Sequence, residues 1–253
     1  MTVQEQDEYW FKFHRFQMRH ENIFTPKFAK AIQEQINQYK ESGTVMAVTS
    51  TPIYKVLTEV YYEIPQIWAA RSTVSIRNLK ARAPIGFNQR IIELMKSYYG
   101  IDLLNDAEGI TDTFREIIQN VLSDAAQNGW GFDEVVKRIT FLNRNRARTI
   151  ARTETVGAAN AASNIAAKES GLVMDKIWIS ARDLRVRREP RDKFDHLHAN
   201  GQTVGMNEKF IVSGEYLDFP GDRKGVSEGN FINCRCTHAF IPKRDANGRL
   251  IRL

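Results

Sequence analysis

Between Arg144 and Ser170 the chain reads RNRARTIARTETVGAANAASNIAAKES, and this stretch limits the fold more than any other. It reads as one long helix dominated by alanine. Ala158, Ala161, Ala162 and Ala166 leave little side-chain bulk on it, so a neighbour can approach its backbone closely. High helix propensity alone would also account for the alanines. Gly157 needs a further reason, because a mid-helix glycine costs backbone entropy, and close packing supplies one. Arg152 and Glu154 stand two apart, do not share a helix face, and are expected to brace separate neighbours.

Other helices are expected on the N-terminal side. The aromatic-rich stretch FKFHRFQMRHENIF is followed by Pro26, expected to break or restart the helix. Phe28, Ile32, Ile36 and Tyr39 then recur at helical spacing up to Gly43. Residues 44–51 read as a short uncharged, extended connection, and Pro52 suits the first turn of a helix. That helix is expected to run from Ile53 to about Arg82 with a kink at Pro65, ended by Pro84 and Gly86. FNQRIIELMKSYYG gives another. A segment near 111–128 carries Thr113 and Glu116 at capping-box spacing, and FDEVVKRITFL follows it. After Gly171 the pattern changes. LVMDKIWIS reads as a strand, then come a charged loop and short extended pieces split by glycines. The fold class is therefore α+β: a mainly helical N-terminal region followed by a small loop-rich α+β module. The expected divisions are 1–143, 144–242, and a basic, mobile tail at 243–253.

Lysine and arginine outnumber aspartate and glutamate by 36 to 30. This modest excess suits contact with nucleic acid or with an acidic protein surface and demands neither. No run is long and apolar enough to cross a bilayer. The opening MTVQEQDEYW is unlike a secretory signal, so a cytoplasmic start is expected. Cys234 and Cys236 are the two cysteines, too few for a disulfide framework. Tyr9, Trp10, Phe11, Phe13 and Phe16 would form a partner surface if exposed and ordinary core if buried.

The sharpest local signal is NCRC at 233–236, with HLHANGQ at 196–202 upstream. His196, His198, Cys234 and Cys236 offer two imidazoles and two thiolates, a donor set for one zinc ion; His238 is a further candidate. The alternative is that the cysteines are small buried hydrophobes and His196 a hydrogen-bonding turn residue. A zinc would pin a module whose core is thin.

Taken in order, the C-terminal motifs resemble those of bacteriophage minor head proteins of the Mu-F-like and SPP1 head-morphogenesis family. The likeness rests on Ala151, Arg152, Thr153 and Glu154 in the helix, Trp178 in the strand, and Asp183, Arg185 and Arg187 in the charged loop. It continues through His196, Gly201 and Gln202, then Phe210, Gly214, Pro220, Gly221 and Asp222, and closes on Asn233, Cys234, Arg235 and Cys236. These positions span 148–240; the N-terminal 140 residues carry no recognisable motif. REPRDKFD intervenes between Arg187 and His196, and His198 has no counterpart in the family pattern.

The resemblance implies a structural virion component at the portal vertex, present in few copies and involved in head assembly and in DNA packaging or ejection. The implied partners are the portal protein and the major capsid or scaffolding protein, with assembly in the host cytoplasm and no membrane. Arg144, Arg146, Arg148, Arg185, Arg187, Arg188 and Arg191 are candidates for portal contact or for nonspecific double-stranded DNA contact. A nonspecific DNA-binding ejection protein and a metal-dependent nuclease are the alternatives. There is no HExxH, no Walker-type phosphate loop and no GxSxG in the sequence, so no catalytic residues and no enzymatic function are expected.

Overall fold

The computed structural model describes residues 1–77, 87–100 and 102–253. Among the described residues six helices come first: α1 (Val3–Ser42), α2 (Thr51–Arg77), α3 (Phe87–Tyr99), α4 (Asp102–Asn128), α5 (Phe132–Leu142) and α6 (Arg146–Lys168). A smaller part follows with β1 (Met174–Ile179), β2 (Thr203–Gly205), β3 (Phe210–Val212), β4 (Glu215–Leu217), the single turn α7 (Glu228–Phe231) and β5 (Thr237–Pro242). This is the α+β order expected, helical and then mixed.

From Ile150 to Asn164 helix α6 is enclosed on all sides, chiefly by α1 and α2 and also by α3 and β5. Its alanines, Gly157, Thr155, Asn160 and Ser163 are all buried. A helix surrounded in this way has no solvent face to fill with charge. Its small side chains let neighbours reach its backbone: a Cβ placed on Gly157 would lie 3.4 Å from the carbonyl oxygen of Gly221 and 3.6 Å from the Tyr61 hydroxyl. Gly221 has a φ of 86°, and a Cβ there would stand 3.2 Å from the Gly157 Cα. The two glycines form the seam along which the C-terminal part meets the bundle.

Helix α1 differs from expectation at Pro26, which lies inside a continuous helix. Proline in a helix interior costs about 3 kcal/mol. Phe24 and Phe28 on either side are fully buried, and burying each contributes roughly 1.5–3 kcal/mol. Asn22 and Pro26 both lie on the exposed side, where water can reach the carbonyl that proline leaves unpaired. Gly43 caps the helix at φ 67°, as its position suggested. The connection after it contains a 3-10 turn at Val45–Ala47 rather than extended chain, with the Thr44 hydroxyl accepting from the Met46 amide. Thr113 does not cap α4, which begins eleven residues earlier; its hydroxyl donates to the Gly109 carbonyl within the helix. The expected helix end near Arg82, Pro84 and Gly86 lies outside the described residues.

In the C-terminal part β1 is the central strand of an antiparallel sheet ordered β2-β1-β5, with Trp178 opposite His238. Strands β3 and β4 form a hairpin whose two loop residues, Ser213 (φ 52°) and Gly214 (φ 81°), both take the positive φ of a type I′ turn. The start of α1 docks on this part. Trp10 packs with Ile177, Ile179 and Val186, and its indole donates to the Arg235 carbonyl. Of the five N-terminal aromatics, Trp10, Phe13 and Phe16 are core and Phe11 is exposed. The tail is held rather than free: the amide of Val173 donates to the Ile251 carbonyl and that of Leu253 to the Gly171 carbonyl. Among the described residues no helix is long and apolar enough to cross a membrane.

Replacing Gly221 by alanine forces a strained backbone against Gly157 and should cost about 1–3 kcal/mol. Gly157→Ala meets only ordinary contacts and gains helix propensity, so its effect should be smaller. Urea unfolding of the two variants tests the seam; equal midpoints would dismiss it.

Candidate metal centre and its supporting network

His196, Cys234 and Cys236 come together although they lie in different segments. His196 follows the charged loop, in a run of turns. Its carbonyl accepts from the Ser180 hydroxyl at the end of β1, and the edge of the Trp178 ring packs against its imidazole. The cysteines lie between α7 and β5, and both are buried. Nδ1 of His196 stands 3.6 Å from the Cys234 sulfur and 3.7 Å from the Cys236 sulfur. Zinc–sulfur bonds of about 2.3 Å and zinc–nitrogen bonds of about 2.0–2.1 Å at a tetrahedral angle give an edge of about 3.5–3.6 Å. Both nitrogen–sulfur distances therefore already lie close to the edge of a zinc tetrahedron, and the three donor atoms all lie within 4.8 Å of one another.

The imidazole tautomer follows from its neighbours. The Asn230 amide nitrogen donates to the Glu215 carboxylate at 2.6 Å and to the Val212 carbonyl at 3.3 Å. Its oxygen must then face His196 Nε2, 3.2 Å away, and accept a hydrogen bond from the N–H there. Nδ1 is left as a lone pair aimed at the two sulfurs, the arrangement a metal-bound histidine needs. Glu215 is itself held by the amide and hydroxyl of Ser227. One of the two thiols is poised as well. The hydrogen bond from Cys236, with His196 beside it, pulls the Cys234 thiol well below the usual range, while burial pushes Cys236 up. The Cys236 amide donates to the Cys234 sulfur at 3.4 Å. The residues present thus fit a divalent thiophilic metal such as zinc. His198 is not part of the group: it is exposed, with its backbone amide bonded to Asp195. His238 is buried outside the group, with neither ring nitrogen hydrogen-bonded, and burial lowers its basicity.

Around the centre the motif residues form a chain of buried polar contacts. Arg152 donates from Nε and Nη2 to Glu21 of α1, at 2.9 and 2.7 Å, and from Nη1 to Asn233 at 2.6 Å. Thr153 accepts the Asn233 amide. Asn233 itself holds a φ of 60°, which turns the chain into the cysteines. Glu154 accepts from Tyr61 of α2 and from Arg223. Arg223 also meets Asp106 of α4 at 2.6 Å. Arg152 and Glu154 thus brace separate neighbours, as their spacing suggested. Asp183 takes Arg235 in a two-pronged pair at 3.0 Å for each bond. Burial would raise its carboxyl, but the Arg235 hydrogen bonds hold it below the usual range. The Gln202 side chain pairs with both backbone groups of Ile211 and so holds β3 beside it. The Gly201 amide donates to the Trp178 carbonyl, Pro220 offers its carbonyl to Asn160, and Asp222 accepts the amides of Asp218 and Lys224.

Five of the seven arginines expected at a partner surface are engaged within the protein; Arg185 pairs with Asp183, and Arg191 donates to the Leu184 and Val186 carbonyls. Arg146 is half-buried, donates to the Ile110 carbonyl, and is lowered to about 10 by burial. Arg148 pairs with Glu21, and Arg187 with Asp192 and the Gly229 carbonyl. Arg144, Arg185, Arg188 and Arg191 are exposed. Sequence reasoning missed Glu21, Asn230, Tyr61, Asp106, Arg223 and Asn160. Asn160 had a signal: it is a polar residue within the alanine run, and its amide donates to the Pro220 and Cys236 carbonyls while its oxygen accepts from Thr237. Glu21 had none, sitting in a helix full of polar residues.

The expectation of a chain without enzymatic capacity is corrected by this centre. A buried His/Cys/Cys group positioned to coordinate a metal ion is an arrangement capable of metal-dependent catalysis. The histidine is 38 and 40 residues from its cysteines, so no contiguous catalytic motif announces the group.

The comparisons with known proteins find likeness over about half of the chain. Residues 116–239 match the phage Mu protein F like proteins, and over this region the relationship is a distant one at family level. The match starts inside α4, earlier than the motifs indicated, since amphipathic α4 and α5 carry no distinctive local pattern. The chain is also 31% identical over 126 residues to the uncharacterized protein YqbB of Bacillus subtilis (strain 168). That likeness covers 48% of this chain and 40% of the relative, well short of the relative's full length. No solved structure matches the chain.

Glu21 tests the network. Burial raises its carboxyl, but the hydrogen bonds from Arg152 and Arg148 outweigh this and leave it below the usual value. Its stabilisation is therefore complete above the unfolded value of about 4.3 and lost as pH falls through the folded one. Glu21→Gln leaves Arg152 buried without a countercharge and should cost about 3–5 kcal/mol at pH 7. Unfolding midpoints against pH should show that gap holding down to about pH 4.3 and narrowing below it; a gap independent of pH would reject the assignment.

Proposed function

We propose that the chain is a minor head protein of a tailed bacteriophage that acts at the portal vertex, in head assembly and in DNA packaging or ejection. The observation that carries this reading is the family match over 116–239, a region whose motif residues interlock around one centre instead of scattering over the surface. Arg152, Asn233, Cys234 and His196 are linked in sequence through hydrogen bonds and sulfur contacts, as a module kept for its shape would require. The helical region 1–143 is assigned to docking on the portal or capsid, and the portal oligomer is the primary partner. Exposed Arg144, Arg185, Arg188 and Arg191 favour a second, compatible role in contacting packaged DNA without reading its sequence. The chain should copurify with portal protein from infected cells, and heads assembled without it should be defective in DNA content or infectivity. Normal heads of normal infectivity would refute the role.

In the same reading, His196, Cys234 and Cys236 hold zinc, which would staple the loop-rich part to the bundle through Asn233 and Arg152. Elemental analysis of the purified protein should find one zinc per chain. His196→Ala and Cys234→Ala should abolish it and His198→Ala should retain it. Asn230→Ala should weaken zinc affinity about 10–100-fold by releasing the imidazole. Equal zinc in the His196→Ala variant would exclude this site.

A further inference from the structure

The three metal-facing side chains do not end in closed core. His196, Cys234 and Cys236 all line a pocket of about 250 Å³. At roughly 30 Å³ per water, that is room for one oxyanion with its remaining hydration. Among the described residues no fourth histidine, cysteine or carboxylate joins the group. A metal held by three protein ligands, with the remaining position facing a pocket, is of the open kind rather than the closed structural kind.

The charge of the pocket wall indicates what belongs there. Arg152, Arg185, Arg187 and Arg235 line it, and no aspartate or glutamate does. The carboxylates that answer these arginines stand behind them and are shared. Glu21 serves Arg148 and Arg152, Asp183 serves Arg185 and Arg235, and Asp192 serves Arg187. The four guanidiniums of the wall thus share three carboxylates, one of which, Glu21, also answers Arg148 outside the pocket, so positive charge is in excess. A divalent metal on two thiolates and a neutral imidazole adds no net charge. Arg152 and Arg235 are committed to their carboxylates by two bonds each. Arg187 keeps Nη2, and Arg185 keeps Nε and Nη1, without hydrogen-bond partners among the described residues. Arg185 stands at the rim, with its side chain 61% exposed.

We propose that this pocket is an anion site in which a phosphate group takes the metal's remaining position and is gripped by Arg185 and Arg187. The inference rests on the metal-binding reading above. Planar guanidiniums suit phosphate because they offer paired donors of fixed geometry, and the surplus charge has the sign an oxyanion needs. The phosphate is either a free ion or the end of a nucleic-acid strand, since both present the same chemistry.

The cobalt(II)-substituted full chain separates these readings. Thiolate-to-cobalt charge transfer in the near ultraviolet reports the metal, and the visible d–d bands report its remaining ligand. Inorganic phosphate, titrated at constant ionic strength, should change the d–d bands saturably while the charge-transfer band persists. The apparent affinity should fall several-fold in Arg185→Ala, whose exposed side chain leaves the fold intact, and in Arg187→Ala. A 5′-phosphorylated oligonucleotide compared with its unphosphorylated form assigns the source: a stronger response to the phosphorylated strand than to inorganic phosphate identifies a strand end, and the reverse a free ion. A charge-transfer band with d–d bands indifferent to every phosphate would overturn the anion site and leave the metal reading standing. Absence of the charge-transfer band would overturn both.

Discussion

Burial of α6 on every side is the constraint on which the rest of the structure depends. A helix with neighbours all round can carry a charge only where a partner is waiting, because an unpaired buried charge costs several kcal/mol. Arg152 and Glu154 are such groups, the amide of Asn160 is likewise paired, and each of the three reaches a different body: Arg152 meets α1 and the turn before the cysteines, Glu154 meets α2 and Arg223, and Asn160 meets the Pro220 loop and β5. Alanine and glycine between them let those bodies approach closely enough for the bonds to form. Dispersion and specificity are thus divided along one helix, the small residues setting distance and the three polar ones setting register.

This arrangement ties the candidate metal centre to the helical bundle. Asn233 precedes the cysteines directly, and both its side chain and its amide are fixed by α6. On the other side, Ser227, Glu215 and Asn230 form a relay that orients His196. The donor atoms are held from two directions by buried hydrogen bonds. Such preorganisation lowers the cost of gathering ligands around a metal. It also explains why many of the motif residues are not themselves ligands: they hold the shape in which three ligands meet beside a cationic pocket.

Much was legible from residues alone. The alanine run marked its own helix, the β-branched stretch at 174–179 its strand, and Gly43 and Pro52 the turn between α1 and α2, because each is governed by local propensity and steric rules. The ordered motifs from Arg152 to Cys236 also pointed to the family matched over 116–239. Pro26 misled because its penalty is local, whereas the two buried phenylalanines that outweigh it act through tertiary packing. Thr113 misled because capping-box spacing also occurs inside helices.

What the sequence determined by itself was therefore the kind of chain this is: which segments are helical, where the first strand lies, and which residues have metal-binding chemistry. Only the tertiary structure decided which of them act together. It selected His196 over His198 and His238, because burial beside both sulfurs and a partner for Nε2 are properties of position. It turned Arg146 and Arg187 inward while leaving Arg148 exposed beside Glu21 and Arg185 at a pocket rim. The physical reason is that coordination and ion pairing fall off over a few ångströms, and distances on that scale between residues dozens of positions apart are set by packing.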